Sequence, residues 1–128
     1  MHWAAQYVGI PYVQGCDMRE GADCWGLVRM VLREVAGVEM PMVFVGEEGN
    51  DKAIRKCFDG WHRVEGEMQE LDIVTMRNAL GHHVGIVAKG PERLILHCDE
   101  PISCIIPFDK MGLLGYHDFK VWRRNEHC

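Results

Sequence analysis

Along residues 23–36 the apolar positions Cys24, Leu27, Val28, Val31, Leu32 and Val35 recur at intervals of one, three and four. That is the spacing of one face of an α-helix. Arg29 and Arg33 fall on the other side, as a solvated face requires. Asp23 can accept from the free N–H groups of the first turn, and Gly37 supplies a stop. Residues 2–8, closed by Gly9-Ile10-Pro11, predict a short N-terminal helix. Asn50 or Asp51 can cap a further helix over about 51–58, ending at Gly60. Residues 38–48, with Pro41 ahead of Met42-Val43-Phe44-Val45, predict irregular chain. Beyond residue 60 the pattern changes to short runs rich in Val, Ile and Leu, separated by turn residues: 61–65, 72–77, 83–89, 93–98, 101–106 and 116–123. Helices first and strands second predict an α+β domain with a largely antiparallel sheet. The 128 residues suit a single domain spanning 1–128.

The run from His82 to Cys98 predicts a β-hairpin with its turn at Gly90-Pro91. Alternation places His83 and Val87 on one face of the outgoing strand, and Arg93, Ile95 and His97 on one face of the return strand. Val84, Ile86 and Ala88 take the opposite face, as do Leu94, Leu96 and Cys98. A five-residue loop from Ala88 to Glu92 would set Val87 opposite Arg93 and His83 directly opposite His97. A loop shorter by one residue would part the two histidines. Further on, Asp118 and Lys120 alternate with Phe119 and Val121, which predicts a solvated edge strand; no other motif is legible in residues 102–128.

Charge and composition narrow the function classes. A formal net charge of −5 is no electrostatic footprint for nucleic acid. No run approaches the roughly 18 apolar residues of a membrane helix. Residues Met1 to Tyr7 carry no basic region followed by an apolar run, so a secretory signal is not predicted and the expected place of synthesis and residence is the cytoplasm. Six cysteines are present, Cys16, Cys24, Cys57, Cys98, Cys104 and Cys128, and without an export signal reduced thiols are the expectation. Cys128, the last residue, is expected to be mobile. No Cys-x-x-Cys pair occurs, so no zinc-ribbon or finger pattern is present.

Cys24 is the cysteine with a chemical setting. It falls at the first helical position, where the macrodipole and unsatisfied N–H groups favour an anion, so its thiol pKa is expected to be lowered. A cysteine peptidase needs a thiolate, an imidazole in reach of it, and a third group that fixes the imidazole tautomer. Cys24, His83 and His97 suit those three roles. The Cys24 backbone N–H is the first choice as oxyanion donor and the Tyr12 hydroxyl the second. The same three residues are also a known type of catalytic zinc set, so a metal site is the rival reading of them.

These residues occur in a familiar order: Ile10-Pro11-Tyr12, Asp23-Cys24-Trp25-Gly26-Leu27-Val28, Leu71-Asp72-Ile73-Val74, His83-Val84-Gly85-Ile86-Val87 and Ile95-Leu96-His97. Together they resemble the NlpC family of bacterial cell-wall cysteine peptidases over about residues 2–100. The resemblance implies a papain-like α+β fold, with N-terminal helices and the nucleophile helix packed on an antiparallel sheet of about five or six strands. It implies no cofactor. It implies hydrolysis of amide bonds in peptidoglycan stem peptides, near D-γ-glutamyl and diaminopimelate residues. Carried over by position, Cys24 is the nucleophile, His83 the base and His97 the orienting residue. Tyr12 is similar to the family's tyrosine near the oxyanion, and Asp23 and Trp25 flank the nucleophile at the cleft.

Most members carry serine where this chain has Trp25. Tryptophan there resembles a subgroup found in phage tails and gene-transfer particles, which implies tail-tip or particle proteins as partners and delivery to the wall by the particle. Trp25 reads equally as a core aromatic of the helix. Cys16 stands where the family often has glycine, and it reads either as an idle loop thiol or as a disulfide partner of Cys24. An alternative in another class is a tail-tip structural or assembly protein that keeps the fold with little or no catalysis.

Overall fold

The computed structural model describes residues 2–41 and 56–126. The predicted irregular stretch at 42–48, the first part of the predicted helix (51–55) and Cys128 lie outside the described residues. Helix α1 (Cys24–Val31) forms where the apolar spacing places it, and Trp25, Leu27, Val28, Met30 and Val31 are buried along it. Asp23 caps it through Oδ1, which accepts the Gly26 N–H at 2.7 Å. The helix continues as a π-turn (Leu32–Ala36) and stops at Gly37, whose φ of 67° is the left-handed conformation glycine adopts without strain. The wider turn takes Val35 off the buried stripe to the surface.

The arginine face of α1 is not simply solvated. A small antiparallel ribbon, β1 (Asp17–Met18) with β2 (Gly21–Ala22), lies beside it. Arg29 and Arg33 both reach the Asp17 carboxylate, at 2.8 and 3.5 Å. Residues Trp3–Tyr7 form a 3-10 helix rather than an α-helix, and the chain turns at Gly9, with φ of 90°.

Residues 61–124 supply the main sheet: β3 (Trp61–Val64), β4 (Ile73–Asn78), β5 (Gly81–Lys89), β6 (Leu94–Cys98), β7 (Ser103–Pro107) and β8 (His117–Arg124). Among the described residues the order is β3-β8-β4-β5-β6-β7, with every neighbouring pair antiparallel. The strand predicted as a solvated edge, β8, is therefore interior, between β3 and β4. Its alternation serves two buried faces: Phe119 and Val121 pack on one side, while Trp122 joins the core on the other. Trp122 stacks on Phe58 with ring centroids 4.7 Å apart and donates its indole N–H to Thr75 Oγ1 at 3.1 Å. At the same end of the sheet the buried Asp72 carboxylate takes two bonds from Arg123, at 2.8 and 2.7 Å.

Both faces of the sheet are covered. Val84, Ile86, Ala88, Leu96 and Cys98 belong to the core that includes α1, as the hairpin alternation predicts. Val74, Met76, Val87 and Ile95 face the other way, under Met111, Phe108 and Tyr116. That second cover comes from α2 (Phe108–Met111) and the 3-10 turn after it (Gly112–Leu114), a segment with no pattern in the sequence, and from Tyr116, at the start of the predicted 116–123 run. No described helix is long and apolar enough to cross a membrane.

Candidate active site

Strands β5 and β6 do not pair as the five-residue loop predicts. Val87 lies opposite Ile95 and Gly85 opposite His97, with a bulge between Val87 and Lys89. The register is offset by two residues from the expected one. An offset of one would have sent the histidines to opposite faces, but an offset of two keeps the face. His83 and His97 are thus diagonal neighbours, in reach of each other over an intervening position without a side chain, Gly85. Their rings meet edge to face, and His83 Nε2 lies 2.9 Å from His97 Nδ1. Both are buried, 5% and 3% exposed, so this bond is shielded from competing water.

Cys24 stands at the start of α1, which packs against β5 and β6. β6 pairs with β5 from Gly85 onward, and the next N–H along β5, that of Val84, is directed at the Cys24 sulfur, as is the N–H of Trp25. The thiol therefore sits at the main chain of the residue following His83. The expected low thiol pKa is not what this environment gives. Burial pushes Cys24 up to about 12, the Asp23 carboxylate adds to the rise, and the two N–H groups oppose it only in part. Desolvation of the charged form outweighs the helix terminus here. Burial and the neighbouring His97 push His83 down to about 4, while the Asp99 charge opposes that fall. His97 is lowered by burial too, again with Asp99 in opposition. Burial thus favours the neutral forms of the thiol and of both imidazoles.

The other predicted residues divide. Tyr12 joins the site: burial raises its pKa and the next cause is Cys24. Its backbone is held by a bridge to Ala22 and by its N–H on the Pro101 carbonyl at 3.0 Å. Asp23 is beside the thiol, with its carboxylate holding Gly26 N–H and, at 2.8 Å, Gly15 N–H. Trp25 takes the position that the core-aromatic reading expects. It is 4% exposed, packs edge to face on Phe58 and donates its indole N–H to the Pro41 carbonyl at 2.8 Å. One position along a helix turns a side chain by about 100°, which separates Trp25 from the direction of Cys24. Cys16 and Cys24 are both free thiols. Among the described residues, no group of three His, Cys, Asp or Glu side chains is arranged to hold a metal ion.

Three further residues belong to this cluster and escape a motif-based reading. Asp99 follows His97 by two, so the period of a strand already aims it at the same side. Its carboxylate accepts the Tyr116 hydroxyl and the Glu100 N–H. Tyr116 stacks on the His83 ring at 4.7 Å with 25° between planes. Cys104, opposite His97 on β7, places its sulfur 3.6 Å from His97 Nε2.

A thiol at a helix N-terminus, beside a strand that carries linked imidazoles on an α+β frame, defines a cysteine peptidase. The NlpC/P60 family model matches residues 9–109, and the chain belongs to that family. Among solved structures, the chain is similar to the NlpC/p60 domain of the peptidoglycan hydrolase SagA, with a TM-score of 0.62 and 20% sequence identity. The likeness covers 92% of this chain and 91% of that one. No curated protein matches the sequence.

Proposed function

We propose that the protein hydrolyses an amide bond in peptidoglycan stem peptides, with Cys24 as nucleophile, His83 as base and then acid, and His97 as orienting residue. The observation that carries this reading is the 2.9 Å bond between His83 Nε2 and His97 Nδ1, on the residue next to the N–H that meets the Cys24 sulfur. With Nε2 donating to His97, the Nδ1 atom of His83 is the one left to receive a proton. The substrate class rests on the family and on the likeness to a domain described as part of a peptidoglycan hydrolase.

The steps follow from those three roles. Cys24 attacks the amide carbonyl while its proton moves to His83 Nδ1, so a free thiolate never has to stand in the buried site. The oxyanion is met by the Cys24 N–H and the Tyr12 hydroxyl. His83 then protonates the leaving nitrogen, the C–N bond breaks and a thioester remains. Water attacks the thioester with its proton passing to His83; the C–S bond breaks and the proton returns to sulfur. The finer reading places the cleaved bond next to D-γ-glutamyl and diaminopimelate residues, and delivery to the wall by a phage tail or tail-like particle. The first rests on the family resemblance over about residues 2–100, the second on tryptophan at position 25.

The test is digestion of purified sacculi by the wild type and by Cys24→Ala, with the soluble fragments identified by mass spectrometry. Wild type should release fragments with new ends in the stem peptide, and Cys24→Ala should fold and release none. Equal digestion by Cys24→Ala would overturn the assignment, and an inactive wild type would favour the structural tail protein. Antibody detection in purified particles tests the delivery.

A further inference from the structure

We infer that Asp99 and Tyr116 are positioning residues for the His83–His97 couple: Tyr116 fixes the plane of the His83 ring, and Asp99 supplies the negative charge that steadies the proton when His83 takes it up. The inference rests on the reading of His83 as the base. It starts from a difficulty in the site itself. A buried imidazole that must become imidazolium during turnover needs a counter-charge, and the partner on its Nε2 is a second neutral imidazole.

The groups facing the couple can be taken element by element. Asp23 and Cys24 come from the start of α1, Tyr12 from the loop before β1, His97 and Asp99 from β6 and the residue after it, Cys104 from β7, and Tyr116 from the residue before β8. Three carboxylates bear on this cluster, Asp23, Asp99 and Glu100, the last through Tyr12. Both oxygens of Asp23 are engaged by main-chain N–H groups of Gly15 and Gly26, and its charge acts on Cys24. Asp99 acts on both imidazoles. Among the described residues no Lys or Arg forms an ion pair with Asp99. Its charge is thus not neutralised by a neighbour. Asp99 also acts on Cys24, but there it ranks last among the causes of the thiol's rise.

Tyr116 holds this arrangement together. Its ring lies against His83 and meets His97 edge to face at 6.0 Å. It is 5% exposed, and its hydroxyl donates to Asp99 Oδ2. Burial and Asp99 push the phenol well above its ordinary range, so it remains a donor wherever the enzyme is folded. One residue thus fixes the ring that moves the proton and also the carboxylate that compensates it.

The test is kcat and KM against pH on a soluble stem peptide for wild type, Asp99→Asn, Asp99→Glu, Tyr116→Phe, Tyr116→Leu and His83→Ala. A charge effect of about one pKa unit corresponds to a factor of about ten, so Asp99→Asn should lower kcat about tenfold with KM little changed. Its acid limb in kcat/KM should move to lower pH, because His83 becomes harder to protonate. Asp99→Glu should restore part of both. Tyr116→Phe keeps the stacking and should lose less than Tyr116→Leu. A plateau loss in Asp99→Asn with an unmoved acid limb would mark a merely structural role and overturn the inference. So would wild-type kcat in both Asp99→Asn and Tyr116→Phe while His83→Ala is inactive. Turnover by His83→Ala would instead bring down the catalytic reading beneath it.

Discussion

Gly85 is the position where one methyl group tests the geometry of the site. It lies between His83 and Val87 on the same face of β5, directly opposite His97. Its φ is outside the left-handed region, so alanine meets no backbone strain there, only lack of space. A Cβ at Gly85 would stand 2.7 Å from Ile95 Cγ2, 3.1 Å from the Leu96 carbonyl oxygen and 3.3 Å from His97 Cβ. Ile95 is fully buried in the second core and, being β-branched, is stiff at χ1. The Leu96 oxygen belongs to the strand that pairs with β5. The strain of such overpacking is about 1–3 kcal/mol. Replacing glycine in a strand offsets about 0.5–1 kcal/mol of that. The net expectation for Gly85→Ala is a loss of up to about 2.5 kcal/mol in urea unfolding followed by tryptophan fluorescence. The effect on turnover should be larger than that loss suggests. The His83–His97 bond at 2.9 Å is within the ordinary range, and a displacement of His97 by a few tenths of an ångström stretches it to the edge of useful geometry. Peptidoglycan digestion should fall about tenfold or more. A Gly85→Ala protein at least as stable as wild type and equally active would refute the claim that this gap is required.

Other perturbations read other parts of the molecule. Gly26→Ala would drive a methyl into the Cys16 carbonyl, a main-chain atom that cannot swing aside. Urea unfolding should show a loss of about 1–3 kcal/mol, although alanine is the better helix former by about 1 kcal/mol; a net gain would contradict the packing. Asp72→Asn takes the charged partner from the part-exposed Arg123 and should destabilise by about 1–2 kcal/mol; the double variant with Arg123→Met should recover part of that loss. Acid titration reads His83. Its folded pKa of about 4 lies below the ordinary 6.5, so the unfolded chain binds the proton first. This contribution is complete above about pH 6.5, declines as pH falls toward 4 and amounts to at most about 3 kcal/mol. His97, also lowered, adds in the same direction. In His83→Gln the urea midpoint should depend less on pH over that window, and an unchanged dependence would refute the burial argument.

The strands and the nucleophile helix were legible because their signals are local. Period two in β5 and β6, and the apolar stripe from Cys24 to Leu32, each follow from residues within one element. The pairing register was not, because it depends on a bulge near Lys89, and no side-chain pattern marks one. Face survived where register did not, since face depends only on parity. The state of Cys24 was misread for a different reason. A helix terminus is visible in sequence, whereas the desolvation that outweighs it comes from elements far along the chain. Asp99 was in principle legible from its spacing to His97. Tyr116 falls at the start of a predicted strand run, but its place over His83 was not legible, because the unpatterned stretch through α2 and Gly115 brings it over the sheet.

The position of β8 has a consequence for how the molecule comes into being. Its partners are β3, which precedes it by more than fifty residues, and β4. On a ribosome, β3 leaves the exit tunnel early and must wait, while β4 through β7 can zip up with their sequence neighbours. Only when residues 117–124 have emerged can the two parts be joined through the middle. Such distant pairing slows folding. The residue just ahead of that final strand is Tyr116, whose ring lies on His83. The thiol and imidazoles thus come from chain made before the piece that steadies them, and completing the site waits on the strand that joins the sheet.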